Sequence, residues 1–241
     1  MSALPAHRYA FAASPCGGTL VELAGVDVLL RPSGALWIAS ERLLAVADLH
    51  LEKGSAYAAR GQLLPPYDTR ETLARLAAEV GRLRPRTVAL LGDSFHDGKG
   101  EARLAAADAQ ALRAIAAVAE VIWIVGNHDR DGPHELPGEV TSDLMAAGLT
   151  LTHEPRSTPR LGEVAGHLHP AAKIKGRVGS VRRRCFVTDG ERLVAPAFGA
   201  YAGGLSVKDA AFRGLFVRAP LAVALGERQT HAIAWSQLVG E

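Results

Sequence analysis

Four short stretches of this chain gather side chains that bind metal ions and move protons. Asp48-Leu49-His50 follows the apolar residues 43–47, Gly92-Asp93-Ser94-Phe95-His96-Asp97 follows residues 88–91, and Gly126-Asn127-His128-Asp129 follows residues 121–125. Gly166-His167-Leu168-His169-Pro170 comes later, and a lone histidine, His153, closes the run Leu149-Thr150-Leu151-Thr152. Taken singly, a histidine or aspartate in such a place is most often a capping or hydrogen-bonded surface residue. The five together, in this order, point to one shared metal centre. Imidazole and carboxylate donors suit manganese, iron, zinc and related divalent ions. A carboxylate has two oxygens and can bridge a pair of them. Two ions about 3.5–4 Å apart can hold a hydroxide and clamp the attacking and leaving oxygens of a phosphoryl transfer. His128 neighbours Asn127 and, on an extended chain, points the other way. It is then free to give a proton or a hydrogen bond to a phosphate or its leaving group.

The apolar runs are the elements that must position these groups. Each is short, continuous and closed by a polar residue or glycine, the pattern of a buried strand. Open α/β sheets present their chemistry at the carboxyl ends of such strands. On an extended chain Asp48 and His50 share a face and reach one ion. Leu73, Leu76, Ala77, Val80 and Leu83 form a stripe that predicts a helix, with a capping-box spacing at Asp68 and Glu71 and a stop at Pro85. Residues 101–119 predict a second helix, burying Leu104, Ala107, Ala111, Ile115 and Val118. Residues 43–127 thus run β-loop-α-β-α-β, the signature of a parallel sheet with crossover helices. Ahead of them, residues 20–30 and 36–38 predict two strands of a hairpin. Residues 143–147 predict a short helix. Strands are expected at 149–152, 184–188, 192–195, 215–217, 221–225 and 231–235, with a hairpin turn at Asp189-Gly190. Metal-type residues come from both halves, so residues 1–241 read as a single domain.

Composition narrows the class. The chain has 241 residues, 48% apolar and 22% charged, as in a soluble globular protein with a sizeable core. A formal net charge of +2 excludes wholesale electrostatic attachment to nucleic acid, so any basic surface is local. Two cysteines, Cys16 and Cys185, with no CxxC, exclude a disulfide framework and a thiolate zinc cluster. They fit a reducing compartment. The first eighteen residues lack a long apolar core and do not read as a signal peptide. No run approaches the roughly 18 apolar residues that span a membrane. The expected location is the cytoplasm.

The motifs DLH, GDSFHD, GNHD, a single histidine and GHLH, in that order, resemble the calcineurin-like metallophosphoesterase superfamily over residues 48–169. The resemblance implies an α/β fold, a four-layer α/β/β/α sandwich of two mixed sheets flanked by helices. It implies a ligand set too. Asp48, His50, Asp93 and His169 would hold one metal, and Asp93, Asn127, His153 and His167 the other, with Asp93 bridging. His128 would be the catalytic histidine, and Asp129 would orient it or its loop. His96 stands where many relatives carry Asp or Glu. GDxFH is similar to the DNA-repair nuclease branch, which makes His96 a further catalytic candidate. Residues 51–55, 64–70, 196–201 and 203–205 add a similarity to the bacterial ligase-associated DNA damage response endonucleases. That similarity implies a manganese-dependent phosphodiesterase that nicks DNA through a metal-bound hydroxide and works beside a ligase and a helicase. Iron, zinc, nickel or cobalt are the alternative ions.

Lys173, Lys175, Arg177, Arg182, Arg183 and Arg184 follow the last ligand motif closely. They read either as a solvated hairpin or as a strip that holds phosphates flanking the scissile one. No aromatic residue interleaves them, so base stacking is not indicated. Arg156 and Arg160 are weaker candidates of the same kind. Tyr67 and Tyr201 read either as lining the mouth of the site or as core, with core favoured. A small-molecule phosphodiesterase, a protein phosphatase and a non-catalytic scaffold are the competing functions, the last disfavoured because no ligand is missing.

Overall fold

The computed structural model describes residues 11–176 and 179–240; the first ten residues and Arg177 of the basic run lie outside them. Strands β1 (Phe11–Ala13), β2 (Thr19–Leu23), β3 (Val26–Leu30), β4 (Leu36–Ile38), β5 (Leu43–Ala47), β6 (Thr87–Leu91), β7 (Glu120–Ile124) and β8 (Glu139–Thr141) form one sheet in chain order. The pairs up to β5 are antiparallel, and β5 to β8 are parallel. Helices α1 (Lys53–Ala58) and α2 (Asp68–Leu83) link β5 to β6, and α3 (Gly100–Arg103) and α4 (Ala106–Ala116) link β6 to β7.

The central strands are apolar throughout because both their faces are buried. Leu43, Ala45, Ala47, Ala89, Leu91, Ile122 and Ile124 face the second sheet. Leu44, Val46, Val88, Leu90, Val121 and Trp123 face α2 and α4. The second sheet holds β9 (Asp143–Ala146), β10 (Leu149–Thr152), β11 (Glu163–Ala165), β12 (Pro170–Gly176), β13 (Gly179–Thr188), β14 (Arg192–Val194), β15 (Leu205–Ser206), β16 (Leu221–Leu225), β17 (Thr230–Ala234) and β18 (Leu238–Val239). It is also mixed, and Leu149, Leu151, Val164, Phe186, Leu193 and Val223 meet the first sheet. The α/β sandwich of two mixed sheets is therefore the observed architecture. Its outer layer over the second sheet is a 3-10 turn, Ala210–Phe212, with loops.

Several local expectations are corrected. Residues 20–30 are two strands, because Ala24 and Gly25 adopt positive φ and turn the chain. The helix expected over 101–119 breaks at Leu104 and Ala105, whose backbones are extended. Glu101 sits before the break, and its carboxylate accepts from the N–H groups of His134, Glu135 and Leu136. Ala107 and Val118 are exposed, and Leu112 is buried instead. Residues 143–146 are a strand antiparallel to β10, and 215–217 are irregular. Asp68 does not cap α2; its carboxylate accepts from the Gly54 N–H at 2.9 Å and ties α1 to α2. Tyr67 is 54% exposed rather than core, and Tyr201 is half-buried. Both cysteines are free.

One buried ion pair fastens the second sheet. Arg192 Nη2 lies 2.9 Å from Glu163 Oε2, and its guanidinium also donates to the carbonyls of Leu215 and Thr158. Removing one partner of such a pair leaves the other charge buried alone. Arg192→Met should therefore lower stability by about 3–5 kcal/mol. Urea unfolding in chelator measures this, and a loss under about 1 kcal/mol would show that the pair is not a fastening.

Candidate metal centre

The ligand-type residues leave both sheets at one end. Asp48, Asp93 and Asn127 follow β5, β6 and β7; His153 and His167 follow β10 and β11; His169 precedes β12. Their loops are lashed together by backbone bonds, among them His50 N–H to the Asp93 carbonyl at 2.9 Å and Gly166 N–H to the His153 carbonyl at 2.9 Å. The loops are not extended, contrary to the sequence reading. Asp48, His50, Asp93, His167 and His169 all have φ between 44° and 67°. Left-handed kinks, not strand alternation, turn their side chains inward. Glycines make room for them. A Cβ on Gly126 would strike the Asp93 carboxylate and backbone nitrogen, and one on Gly166 would strike the Asp48 carboxylate.

Two sets of donor atoms result. Asp48, His50 and His169 form one, and Asp93, His153 and His167 the other, each with its atoms within 4.8 Å of one another. Asp93 faces both, with Oδ2 3.9 Å from His50 Nε2 and Oδ1 3.5 Å from His153 Nε2. Asn127 Oδ1 lies 2.9 Å from His153 Nε2, and His167 Nδ1 lies 3.1 Å from it. His153 Nδ1 is 3.1 Å from the Leu91 carbonyl, which only accepts, so Nδ1 carries the proton and Nε2 offers a lone pair. That lone pair then faces an amide oxygen and a carboxylate oxygen, both acceptors. Acceptors meeting with no proton between them fit a cation. In the other set His50 Nε2 is 3.2 Å from His169 Nε2, which is 3.4 Å from Asp48 Oδ1. Burial, then the charges of His169 and His128, push His50 down to about 2, so its imidazole is neutral and can ligate. The residues present suit two divalent ions.

The sequence profile of the calcineurin-like phosphoesterases matches residues 41–193, well over half of the chain. The protein belongs to this family. It is thereby a metal-dependent hydrolase of phosphate esters. A nuclease, MPE, from Pseudomonas putida is similar at 25% identity, with a TM-score of 0.68 over 90% of this chain and 100% of that one. The phosphoesterase Yfce of E. coli overlaps 80% of this chain and 98% of its own at 15% identity and a TM-score of 0.39. A search of curated proteins returned no match. Among the described residues no helix is long and apolar enough to cross a membrane.

Around the donors of this phosphoesterase the other candidates divide. His128 and His96 stand at the mouth, with rings 5.6 Å apart and stacked. The His128 side chain is 40% exposed, and its Nδ1 is 2.9 Å from the His96 carbonyl, so Nδ1 donates and Nε2 faces Asp93 Oδ2 at 3.9 Å. Burial, then Lys53 and His128, hold His96 below its ordinary value. Asp129 belongs to neither donor set. Its carboxylate accepts from four backbone N–H groups, those of Asp93, Ser94, Phe95 and Gly126, at 2.7–3.1 Å. Burial raises its carboxyl, against the pull of those bonds.

The basic run is divided between two faces. Cross-strand register places Lys173, Lys175, Arg182 and Arg184 on one face of β12 and β13 and Arg183 on the other. Arg184 is committed to the fold, donating to the carbonyls of Ala197, Gly199, Ala200 and Ala202, and Arg182 donates to Gly204. Lys173 is half-buried and Lys175 exposed. Arg156 is exposed beside Glu163, and Arg160 is also exposed. Lys53 was missed by sequence reasoning. It follows the DLH loop, reaches the Tyr201 carbonyl at 3.0 Å, and its charge bears on His50 and His96. Its position five residues after Asp48 was the available signal.

Outer contacts that fix ligand loops are worth about 10–100-fold in metal affinity. Asp129→Ala should weaken manganese binding by about that factor although Asp129 supplies no donor to either set. Calorimetric titration of folded variant and parent gives the comparison. Equal affinity would remove the clamp from the account.

Proposed function

We propose that this phosphoesterase is a two-metal, manganese-dependent phosphodiesterase that nicks DNA, and that its work is DNA repair. The observation that carries the DNA reading is the likeness to the Pseudomonas putida nuclease across that protein's full length. The paired His96 and His128 at the mouth support it, because a diester with a poor alkoxide leaving group needs a proton donor. Association with a ligase and a helicase rests on the motif resemblance, and a cytoplasmic setting on the two unpaired cysteines and the N-terminal composition.

Bound divalent ions would supply Lewis acidity on the phosphoryl oxygens and a nucleophile at neutral pH. The ligands would be Asp48, His50 and His169 on one side and Asn127, His153 and His167 on the other, with Asp93 between. The chain itself does three things. It turns the His128 Nε2 toward the centre, 3.9 Å from Asp93 Oδ2, by fixing Nδ1 on the His96 carbonyl. It keeps His96 neutral, able to accept or pass a hydrogen bond. It brings the Lys53 ammonium near the same mouth, where it can meet a non-bridging phosphate oxygen. With both ring nitrogens protonated, His128 would give its Nε2 proton to the departing sugar oxygen and keep the Nδ1 bond to the His96 carbonyl.

Hydrolysis of bis-p-nitrophenyl phosphate and nicking of supercoiled plasmid, each with manganese and with chelator, test the reading. Manganese-dependent cleavage of both substrates is expected, and diester turnover indifferent to added DNA would instead favour a small-molecule phosphodiesterase. His128→Ala should keep both metals and lose about 10²–10⁴-fold in nicking rate. Loss of metal content along with activity would make His128 a ligand rather than a proton donor.

A further inference from the structure

At the seam between the two sheets lies a cavity of about 730 Å³ in which six arginines, Arg31, Arg75, Arg82, Arg183, Arg184 and Arg228, meet only two carboxylates, Glu79 and Glu227. Glu79 is committed to Arg31. Among the described residues no carboxylate pairs with Arg82, Arg183 or Arg228, and Arg82 and Arg228 are exposed. The Nε of Arg75 is buried without a hydrogen-bond partner. Arg75 and Arg184 approach closely enough that, after burial, the charge of Arg75 is what lowers the Arg184 pKa. Like charges gathered in a partly desolvated cleft focus a positive potential, and an anion is what relieves it. Guanidinium forks match phosphate oxygens in pairs.

The cavity is joined to the metal centre by one stretch of chain. Arg184 donates to four carbonyls of residues 197–202, and Arg75 donates to the Phe198 carbonyl and lies over its ring. The other side of that stretch rests on the ligand loop, with Phe198 N–H on the Ala47 carbonyl at 2.7 Å and Gly199 N–H on the Asp48 carbonyl at 3.1 Å. An anion in the cavity and a phosphate at the metals would therefore flank the same segment.

We propose that this cavity is a binding subsite for backbone phosphates of a nucleic-acid strand whose scissile diester lies at the metal centre. The proposal rests on the nuclease reading above. It assigns the flanking-phosphate task to arginines from the turn after β3, α2, β13 and the turn after β16.

The test uses the double variant Arg82→Glu/Arg228→Glu, whose side chains hold nothing together. Binding of a fluorescent 16-nucleotide single strand is measured by anisotropy in chelator across a salt series, beside the same strand with uncharged methylphosphonate linkages. The variant should bind the charged strand at least about tenfold more weakly, with the slope of log affinity against log salt reduced by about 1.4, as two lost phosphate contacts imply. Affinity for the uncharged strand should not change. Parent-like affinity and slope on the charged strand would overturn the subsite while leaving the nuclease reading intact if the parent nicks plasmid. If the parent hydrolyses the small diester yet neither binds nor nicks DNA, the nuclease reading fails and the subsite with it. A loss equal on both strands would also overturn the proposal, since phosphate charge would not be what the arginines meet.

Discussion

Hydrogen-bond acceptors forced together without protons between them are the constraint on which this structure depends. In the neutral ring His153 Nε2 has no proton to offer Asn127 and Asp93, because the one proton is on Nδ1, donated to the Leu91 carbonyl. Asp48 and Asp93 are buried at 0% and 2% exposure, where a carboxylate needs a positive partner or several N–H donors. The backbone supplies some of that. The His128 N–H reaches Asp93, and the His167 N–H reaches both Asp48 oxygens. The remaining lone pairs converge on the places where cations belong. Holding them there is costly. Five ligand-type residues sit in the left-handed region, at about 1–3 kcal/mol each. Such strain persists only where surroundings over-determine it, and the two sheets and the Asp129 clamp provide that.

The two sheets set the spacing of the centre because each contributes donors. Their approach at this end depends on small residues. Ala47 pairs with Ala197 across the sheets' ends, and a side chain on Gly166 would strike Ala47 as well as Asp48. Bulk at any of these positions would move one donor set relative to the other, and Asp93 could no longer face both. The motif glycines are thus part of the metal geometry and not only strand terminators.

The donors were legible in the sequence because each motif is local, a strand end followed by a ligand within a few residues. The β-α-β-α-β core was legible for the same reason, since a continuous apolar run of five residues can only be a doubly buried strand there. What failed was set by contacts between distant residues. The helix over 101–119 has unbroken helical composition, yet Glu101 turns to hold residues 134–136 and the helix restarts at Ala106. Residues 143–146, Asp-Leu-Met-Ala, are too few to show a period, and so short a run is decided by the edge it finds, here β10. The conformation of Asp48 and His50 was invisible because nothing in D-x-H reports φ.

Charge was the least legible property of all. A net charge of +2 hides the local imbalance, and the run of Arg182, Arg183 and Arg184 suggests one strip from which strand register removes Arg183. The period of two sends neighbours to opposite faces, so consecutive arginines take different work. Arg184 spends its donors on carbonyls of residues 197–202, and Arg183 borders the cavity. The arginines that gather come instead from far apart in sequence. Arg75, Glu79 and Arg82 would pass on sequence alone for a solvated helix face, at spacings of four and three. Glu79 is buried against Arg31, so this face is interior at Glu79 while Arg82 stays exposed. Once that contact is made, the neighbouring arginines on α2 are held where a carboxylate is already taken. The excess of positive charge there follows from the folding of the helix against β3, not from any basic stretch of the chain.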